Sequence, residues 1–368
     1  MTPAQRHDAL HPRLAAWAAG TWPHEETAGL LRHLAECPEC AEDAARLSGA
    51  AAEHTTGDPL DLPAALRLQV VDWCLARRPA ELPVPPWAGP YAAESARLDA
   101  LIRDLGPDEW QEVAELPWHG GVQHWRPAEV LCHLTAVDSY LSTAVGLPDP
   151  LTPARHGTAP HRPDGVLDRT LALITAAGGD DPDTVRARWR RQSHALLEGA
   201  TRGSSDGSAP VDYGFAVLPL QDAFLDRAFE CWIHGGDIAR AVDYPYPPPA
   251  PQHLRRLVDL GVRSLPALMA AQRQAAGPGP APGGPGRTLR LVIDGPAGGR
   301  WLIPLDGTEG PEGAEGAGEP VAEMALDSLE FCYLAAAHRD PDRVPVGEDG
   351  DREAIRRVLH ALPLLSRP

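Results

Sequence analysis

The pattern of apolar and polar positions predicts a chain built mainly of helices. Near the start, Leu10, Leu14 and Trp17 recur with the spacing of one helical face. A second apolar group, at Leu30, Leu31 and Leu34, follows threonine, proline and glutamate residues that together form a helix-start signal. The first 80 residues are therefore predicted to form a small module of short helices.

A further helix of this module, predicted over 62–78, has apolar residues on two faces. One face is marked by Leu62, Leu66, Val70 and Trp73, and the other by Leu68, Val71 and Leu75. Two apolar faces on a small module are expected to be buried by packing against other residues. Either the rest of this chain or a partner protein provides these residues.

A proline-rich linker, ELPVPPWAGP at 81–90, separates this module from a longer helical region. Helical patterns occur there near 91–105, 127–146, 164–199 and 220–242. Helices of these lengths, joined by extended connections, predict a four-helix bundle over 91–243.

The pattern changes after the proline-rich break YPYPPPAP, and residues 250–368 are predicted to form a small α+β domain. A helix near 252–273 comes first and is followed by the spacer GPGPAPGGPG. RTLRLVID and RWLIPL alternate like strands on either side of a glycine-rich turn, and EPVAEMAL is a candidate third strand. Helices near 327–338 and 351–361 close the chain. The predicted fold class is thus mainly α, with this small α+β domain at the end.

Charge and composition narrow the classes of function. A net charge of −18 repels a phosphate backbone, so direct nucleic-acid binding is not expected. No apolar run approaches the ~20 residues of a membrane span. The N-terminus also lacks the apolar stretch of a signal peptide, so a cytoplasmic location without membrane contact is expected. Six cysteines in such a chain indicate metal ligands or reactive thiols before structural disulfides.

The segment HLAECPEC carries a candidate zinc site. His33 lies one helical turn before Cys37, and Cys40 completes a Cys-x2-Cys turn whose two sulfurs can converge on one ion. Zinc takes four tetrahedral ligands, so one ligand is missing from this segment. The candidates for it are His7, His11 and His24.

The stretch HDALHPRLAAWAAGTWPHEETAGLLRHLAECPEC resembles the zinc-binding anti-sigma domain of the zinc-finger family. The resemblance covers about residues 1–80 and implies structural Zn²⁺, with His7, 26 residues before His33, as the fourth ligand and His11 as second choice. It implies a partner, a sigma factor of the extracytoplasmic-function type, packed against the helix at 62–78. Redox-sensing members have cysteine at the upstream position, so a histidine there argues against a thiol–disulfide switch.

A second candidate site lies in the predicted bundle. His133 is mid-helix in AEVLCHLTAVD, and Glu230 and His234 project from one face of another helix at i, i+4. Asp237 shares that face approximately. These residues form either a three-point metal site with an open position or a solvated helix face beside a core histidine.

Two longer segments, WRPAEVLCHLTAVDSYLSTAVG and FLDRAFECWIHGGDIARAV, are similar to the signature helices of the mycothiol-dependent maleylpyruvate isomerase family, a branch of the DinB-like four-helix bundles. The resemblance implies that His133, Glu230 and His234 hold a divalent metal, Zn²⁺ being the expected ion, and that mycothiol is used. It also implies this family's C-terminal domain in the α+β tail. Gly235 and Gly236 depart from the family, and they would loosen the helix end or leave room over the metal.

The remaining cysteines are Cys74, Cys132, Cys231 and Cys332. Two of them adjoin a proposed ligand, but adjacent helical residues point about 100° apart and do not bind the same ion. All four are interpreted as buried small apolar residues.

Three functions are consistent with these features. The favoured one is an anti-sigma-like transcription regulator, in which the zinc-tied module binds a sigma factor and the body senses mycothiol or another small molecule. The alternative is a mycothiol-dependent metalloenzyme of the maleylpyruvate isomerase or S-transferase type, acting on a small thiol or electrophile. In the third, both modules hold metal only for stability. The regulator is favoured because the zinc ligand set is complete and an ordinary isomerase has no need of it.

Overall fold

The structure is a computed structural model, and it describes residues 3–23, 26–54, 66, 70, 83–151, 165–202, 207–276, 287–305 and 319–366. The chain divides into two compact units, Met1–Glu81 and Leu82–Pro368. The described part is mostly helical with small sheets, consistent with the predicted DinB-like bundle. None of the helices in these ranges is long and apolar enough to cross a membrane.

The described part of the N-terminal unit is a group of short helices around a small cluster of buried apolar side chains. Its elements are α1 (Pro3–Leu10), a 3₁₀ turn (His11–Arg13), α2 (Leu14–Ala18), α3 (Thr27–Glu36) and α4 (Pro38–His54). Pro12 lies in the 3₁₀ turn, and it has no N–H to continue the hydrogen bonds of α1. The helical face predicted across Leu10–Trp17 is therefore divided between two helices. The buried apolar cluster consists of Leu14, Leu30, Cys40 and Ala44.

Of the helix predicted at 62–78, the structure describes only Leu66 and Val70. Both are helical, and they are 42% and 44% exposed. The rest of that helix lies outside the described residues, as do His24 and Cys74.

Four long helices of the second unit pack in a closed ring. They are α5 (Gly89–Asp104), α6 (Pro127–Ala144), α8 (Pro182–Arg202) and α9 (Leu220–Ala241). Helix α9 packs along α5 and α6, and α8 completes the ring by contacting the same two helices. Trp189, Phe224 and Trp232 are among the large side chains buried within it.

The single helical segment predicted over 164–199 is two helices. Helix α7 (Val166–Ala177) packs on α6, and a turn at Gly178–Asp181 separates it from α8. The Asp181 side chain accepts hydrogen bonds from the backbone N–H and the hydroxyl of Thr184, and so caps the start of α8.

Two β-hairpins in the second unit have no counterpart in the sequence-based prediction. Strands β1 (Ala114–Trp118) and β2 (Gly121–Trp125) form the first, and β3 (Pro210–Asp212) and β4 (Val217–Pro219) form the second. The first hairpin leads directly into α6, which places Trp118 and Trp125 near the bundle.

The C-terminal part packs a small mixed sheet against helices. After α10 (Pro251–Ala276) come β5 (Thr288–Asp294), β6 (Gly299–Pro304), β7 (Ala322–Asp327), α11 (Ser328–Ala335), β8 (Gly347–Gly350) and α12 (Arg352–Ala361). The strand order is β6-β5-β7-β8, with β5 and β7 parallel and the outer pairs antiparallel. Strand β5 places Leu289, Leu291 and Ile293 on its buried face, as its alternating sequence predicts.

Candidate metal centres

The N-terminal unit brings together two histidines and two cysteines that are separated in the sequence. His7 on α1, His33 on α3, Cys37 after α3 and Cys40 on α4 each offer a ligand atom, and these atoms all lie within 4.8 Å of one another. Nδ1 of His7 lies 3.2 Å from Sγ of Cys40 and 3.5 Å from Sγ of Cys37. This is the donor set of a closed structural zinc site.

His11, the second choice for the fourth ligand, is engaged elsewhere. Its Nε2 lies 2.7 Å from an oxygen of Asp43, and its ring stacks on that of His7 at 5.0 Å between centroids. The structure therefore brings His7, and not His11, to the sulfurs. His11 therefore lies outside the cluster, where its ring packs against that of His7.

Two properties of this cluster fit a metal ion. Nε2 of His33 is buried and has no hydrogen-bond partner among the described residues, so a lone pair is available there. The two thiols also differ: a backbone hydrogen bond within the turn and the His7 contact lower the pKa of Cys37, whereas burial and neighbouring Cys37 raise the pKa of Cys40 to about 11. A cation at the centre favours deprotonation of both.

The second cluster is held by two facing helices of the bundle. Helix α6 begins at Pro127. In its first turn, the Glu129 side chain accepts a hydrogen bond from the Arg126 backbone N–H at 2.7 Å. This start places His133 in the second turn of α6, 1% exposed. Helix α9 carries Glu230 and His234 one turn apart, facing His133.

The ligand atoms of His133, Glu230 and His234 lie within 4.8 Å of one another. Oε2 of Glu230 is 2.9 Å from Nε2 of His234 and 3.5 Å from Nε2 of His133. That oxygen is buried, and it forms no hydrogen bond of normal geometry with either imidazole. The three atoms thus converge on a common point, as metal ligands do.

The other ring nitrogen of each histidine has an acceptor of its own. Nδ1 of His133 lies 3.0 Å from Oγ1 of Thr170, whose hydroxyl donates to the Val166 carbonyl oxygen at 2.9 Å. Nδ1 of His234 lies 3.1 Å from Oδ2 of Asp237. Each Nδ1 therefore donates, which leaves the Nε2 lone pairs directed at the common point. This arrangement fits a divalent cation.

Charges around the cluster favour a cation at its centre. Burial opposes ionisation of Glu230, but the two imidazoles beside it outweigh burial and hold its pKa well below the usual range. Burial alone would lower the pKa of His234, but Asp237 and Glu230 raise it to about 9, whereas burial lowers the pKa of His133. Without a metal, a proton on His234 supplies the positive charge, and metal binding releases it.

The cluster lies at the floor of a cleft of about 500 Å³, a volume that includes its solvent-facing mouth. Strands β1 and β2 supply Trp118 and Trp125, and α9 supplies Asp226 and Phe229. Ser366, near the chain end, also lines the cleft. The walls are mostly apolar, and the polar groups beside those of the metal cluster are Asp226, Gln123 and Ser366.

The paired glycines after His234 do not end the helix, which continues to Ala241. A Cβ at Gly235 would lie 2.5 Å from the Tyr246 hydroxyl, so the tyrosine already occupies that space. A Cβ at Gly236 would meet nothing within 4 Å. Gly236 lines a separate cavity rather than the cleft over the cluster, so the expected room over the metal is not provided by these glycines.

Cys132, Cys231 and Cys332 are buried, as predicted, and none belongs to either cluster. Burial raises the pKa of all three thiols, to about 11 for Cys132. They are therefore protonated, apolar parts of the core.

Sequence comparison connects the bundle to a known family. Residues 91–239 match the family described as Mycothiol maleylpyruvate isomerase N-terminal domain. The match contains His133, Glu230 and His234, and it confirms the predicted resemblance over this part of the chain. It does not include the N-terminal cluster.

Other relatives cover more of the chain. Two uncharacterized proteins of Mycobacterium tuberculosis, from strains CDC 1551 / Oshkosh and ATCC 25618 / H37Rv, are each 27% identical over 275 residues, which is 73% of this chain and 92% of theirs. Among solved structures, mycothiol-dependent maleylpyruvate isomerase is similar with a TM-score of 0.41 and 17% identity. A point mutant of that isomerase gives a TM-score of 0.40 and 16% identity. Each of the two alignments covers 72% of this chain and 92% of the isomerase chain.

Several residues around the cluster were not predicted. Thr170 lies on α7, 37 positions from His133, and nothing in its sequence context marks it. The sequence places Asp237 approximately on the ligand face, but in the structure it contacts the far side of His234 instead of joining the donor atoms. Its spacing of three residues from a candidate ligand is the signal that identifies such a partner.

Proposed function

We propose that the bundle is the centre of a mycothiol-dependent metalloenzyme, in which His133, Glu230 and His234 hold a divalent metal ion. The observation that carries this proposal is the convergence of two imidazole Nε2 atoms and a buried carboxylate at the floor of an apolar cleft. The family match over 91–239 supports a thiol cosubstrate and an electrophile of the maleylpyruvate type. These findings favour the enzymatic interpretation of the sequence over the regulator.

A divalent ion held there by His133, Glu230 and His234 would favour the thiolate form of a small thiol, and Zn²⁺ is typical of His₂Glu sites. The chain contributes the surroundings. The apolar side chains of Trp118, Trp125 and Phe229 line the cleft, and low-polarity walls strengthen electrostatic interactions beside them. Asp226 is suited to accept the thiol proton, because it lines the same cleft and burial raises its pKa.

The chemistry needs no oxidant or reductant. In isomerisation, the thiolate adds to an activated double bond, and the π electrons move toward the conjugated carbonyl group. Rotation about the new single bond follows, and the C–S bond then breaks to return the thiolate. In S-transfer, the C–S bond is kept and the leaving group departs with its electron pair.

The test is turnover of maleylpyruvate by the full chain, with mycothiol and metal supplied separately and together. We expect activity only when both are present, and loss to background in His133→Ala. His124→Ala is the matched control, because His124 is an exposed histidine on β2 that does not line the cleft. Equal turnover without metal or without mycothiol would refute the proposal.

A second function is proposed for the N-terminal unit, that of binding a sigma factor through a zinc-tied helical module. The observation that favours it is the four-atom cluster of His7, His33, Cys37 and Cys40, which lies beside a small apolar cluster among the described residues of this unit. The exposed apolar side chains of Leu66 and Val70 also suit a protein partner.

Copurification of the full chain with sigma factors of the extracytoplasmic-function type tests this second function. We expect a complex with wild type that is lost in a Cys37→Ser, Cys40→Ser double variant and kept in His133→Ala. If sigma-dependent transcription responds to neither the wild-type chain nor the double variant, the second function is wrong, whatever the outcome for the enzyme.

A further inference from the structure

Asp237 connects the bundle cluster to the C-terminal part of the chain. Its side chain is fully buried on α9, one turn after His234. Oδ2 faces Nδ1 of His234 at 3.1 Å, whereas Oδ1 lies 2.6 Å from Nε2 of His338 and 3.2 Å from Nη1 of Arg240. One carboxylate therefore joins a candidate ligand histidine to a second histidine, which lies 101 positions after Asp237 in the sequence.

His338 is held firmly where α11 ends. Its Nδ1 lies 2.8 Å from the Ala336 carbonyl oxygen, so both ring nitrogens face acceptor oxygens. Ala337 adopts a left-handed backbone with φ 60°, and the N–H of His338 donates to the Tyr333 carbonyl at 2.8 Å. Residues other than glycine rarely adopt this conformation, because their Cβ atom crowds the backbone. The surrounding contacts thus maintain a strained turn that directs the imidazole at α9.

A carboxylate that contacts a ligand histidine through one oxygen is free to rotate about its own bonds. In this chain His338 donates to Oδ1, and the Arg240 guanidinium donates to the same oxygen. Since Oδ1 is fixed, Oδ2 is fixed toward His234. The orientation of the His234 ring, and with it the direction of its Nε2 lone pair, depends on this pair of contacts.

We propose that His338 is a positioning residue of the bundle metal centre, which acts through Asp237 to orient His234. The family match ends at residue 239 and so assigns no role to position 338. The inference rests on the proposed function, because it assumes that His234 binds a metal. It makes the C-terminal α+β part a structural component of the metal centre rather than a neighbour of it.

The test compares His338→Leu with His338→Gln in the full chain. Glutamine places an amide N–H close to the position of the imidazole Nε2–H and keeps the hydrogen bond to Asp237, whereas leucine removes it. Affinity is measured by chelator competition with Zn²⁺, and the ligand geometry by the visible spectrum of bound Co²⁺. Sulfur-to-cobalt absorption marks the N-terminal cluster, so the sulfur-free bundle site is followed separately.

We expect His338→Leu to weaken metal binding at the bundle site about tenfold and to alter its Co²⁺ spectrum. His338→Gln restores most of the affinity. His360→Leu is the matched control, because His360 also pairs with an aspartate in the C-terminal part but makes its contact with Asp342, away from α9.

Two results would overturn the inference: wild-type affinity in His338→Leu, or equal weakening in the leucine and glutamine variants, which would indicate packing alone. Failure of the proposed function has a different signature. In that case wild type and His133→Ala bind the same amount of metal, and no variant at position 338 changes it.

Discussion

His133 and His234 come from different helices, yet their rings lie 5.2 Å apart at an interplanar angle of 81°. This edge-on arrangement directs both Nε2 atoms at the carboxylate of Glu230. Each ring is oriented by a partner on its opposite nitrogen, Thr170 for one and Asp237 for the other. The site is thus defined as much by these partners as by the ligands.

Thr170→Val removes the acceptor of the His133 Nδ1–H while nearly conserving side-chain volume. We expect metal affinity at the bundle site to fall about 10-fold, because the ring loses its preferred tautomer and orientation. The measurement is chelator competition. Thr175→Val is the control: its hydroxyl bonds a backbone carbonyl of α7 in the same way, at 2.7 Å from Leu171 O, but contacts no ligand. Equal affinity in the two variants would contradict the assigned role of Thr170.

The N-terminal cluster predicts opposite results for two neighbouring histidines. His7→Ala removes a ligand, so we expect zinc affinity to fall by more than the roughly 100-fold that losing an outer-shell partner costs at most. His11→Ala removes only the contact with Asp43 and a stacked ring, and the variant keeps its zinc. Sulfur-to-metal absorption of the Co²⁺ form reports both. Loss of that absorption in His11→Ala alone would show that the fourth ligand has been misassigned.

A buried carboxyl group in the bundle predicts a pH-dependent stability. Burial raises the pKa of Asp138 to about 7, although Arg227 and the hydrogen bond from Tyr91, at 2.6 Å, favour the ionised form. In the unfolded chain the value is about 3.9. Between these values the folded state binds more protons, so the free energy of unfolding falls as pH rises from about 4 to about 7.

Asp138→Asn cannot ionise and still accepts the Tyr91 hydrogen bond. We therefore expect it to be as stable as wild type near pH 4 and more stable above pH 7, by on the order of 2–4 kcal/mol. Denaturant unfolding across this pH range measures the difference. Parallel stability curves for the two proteins would contradict the assignment.

The adjacent glycines of α9 predict opposite stability changes. Gly236→Ala places a methyl group in open space and gains helix propensity, so we expect stabilisation of up to about 1 kcal/mol. Gly235→Ala drives a methyl group against the Tyr246 ring and costs about 1–3 kcal/mol. Thermal unfolding of the two variants gives the comparison, and an equal gain from both substitutions would contradict the packing described.

Local patterns in the sequence predicted much of this site. Helical spacing predicts that Glu230 and His234 share one face, and the structure brings their ligand atoms within 4.8 Å of that of His133. The same reasoning joined α7 and α8 into one segment, although the Gly178–Asp181 turn carries a recognisable break and cap. Hydrophobic periodicity continued across the turn and concealed it.

The partners of the ligands could not be predicted, because they depend on long-range packing. Thr170 reaches His133 only because α7 packs on α6, and His338 reaches Asp237 only through the folded C-terminal part. The hairpin of β1 and β2 was also missed. Its strands are short and contain proline and glycine, which weaken any strand pattern.

Metal content per chain tests the central claim most directly. Elemental analysis of the full-length protein, after removal of loosely bound ions, is compared among wild type, His133→Ala and Cys40→Ala. If the bundle triad and the N-terminal cluster are separate metal sites, each variant holds one ion fewer per chain than wild type. If His133→Ala keeps the wild-type metal content, the three converging side chains of the bundle do not form a metal site, and the proposed chemistry is wrong.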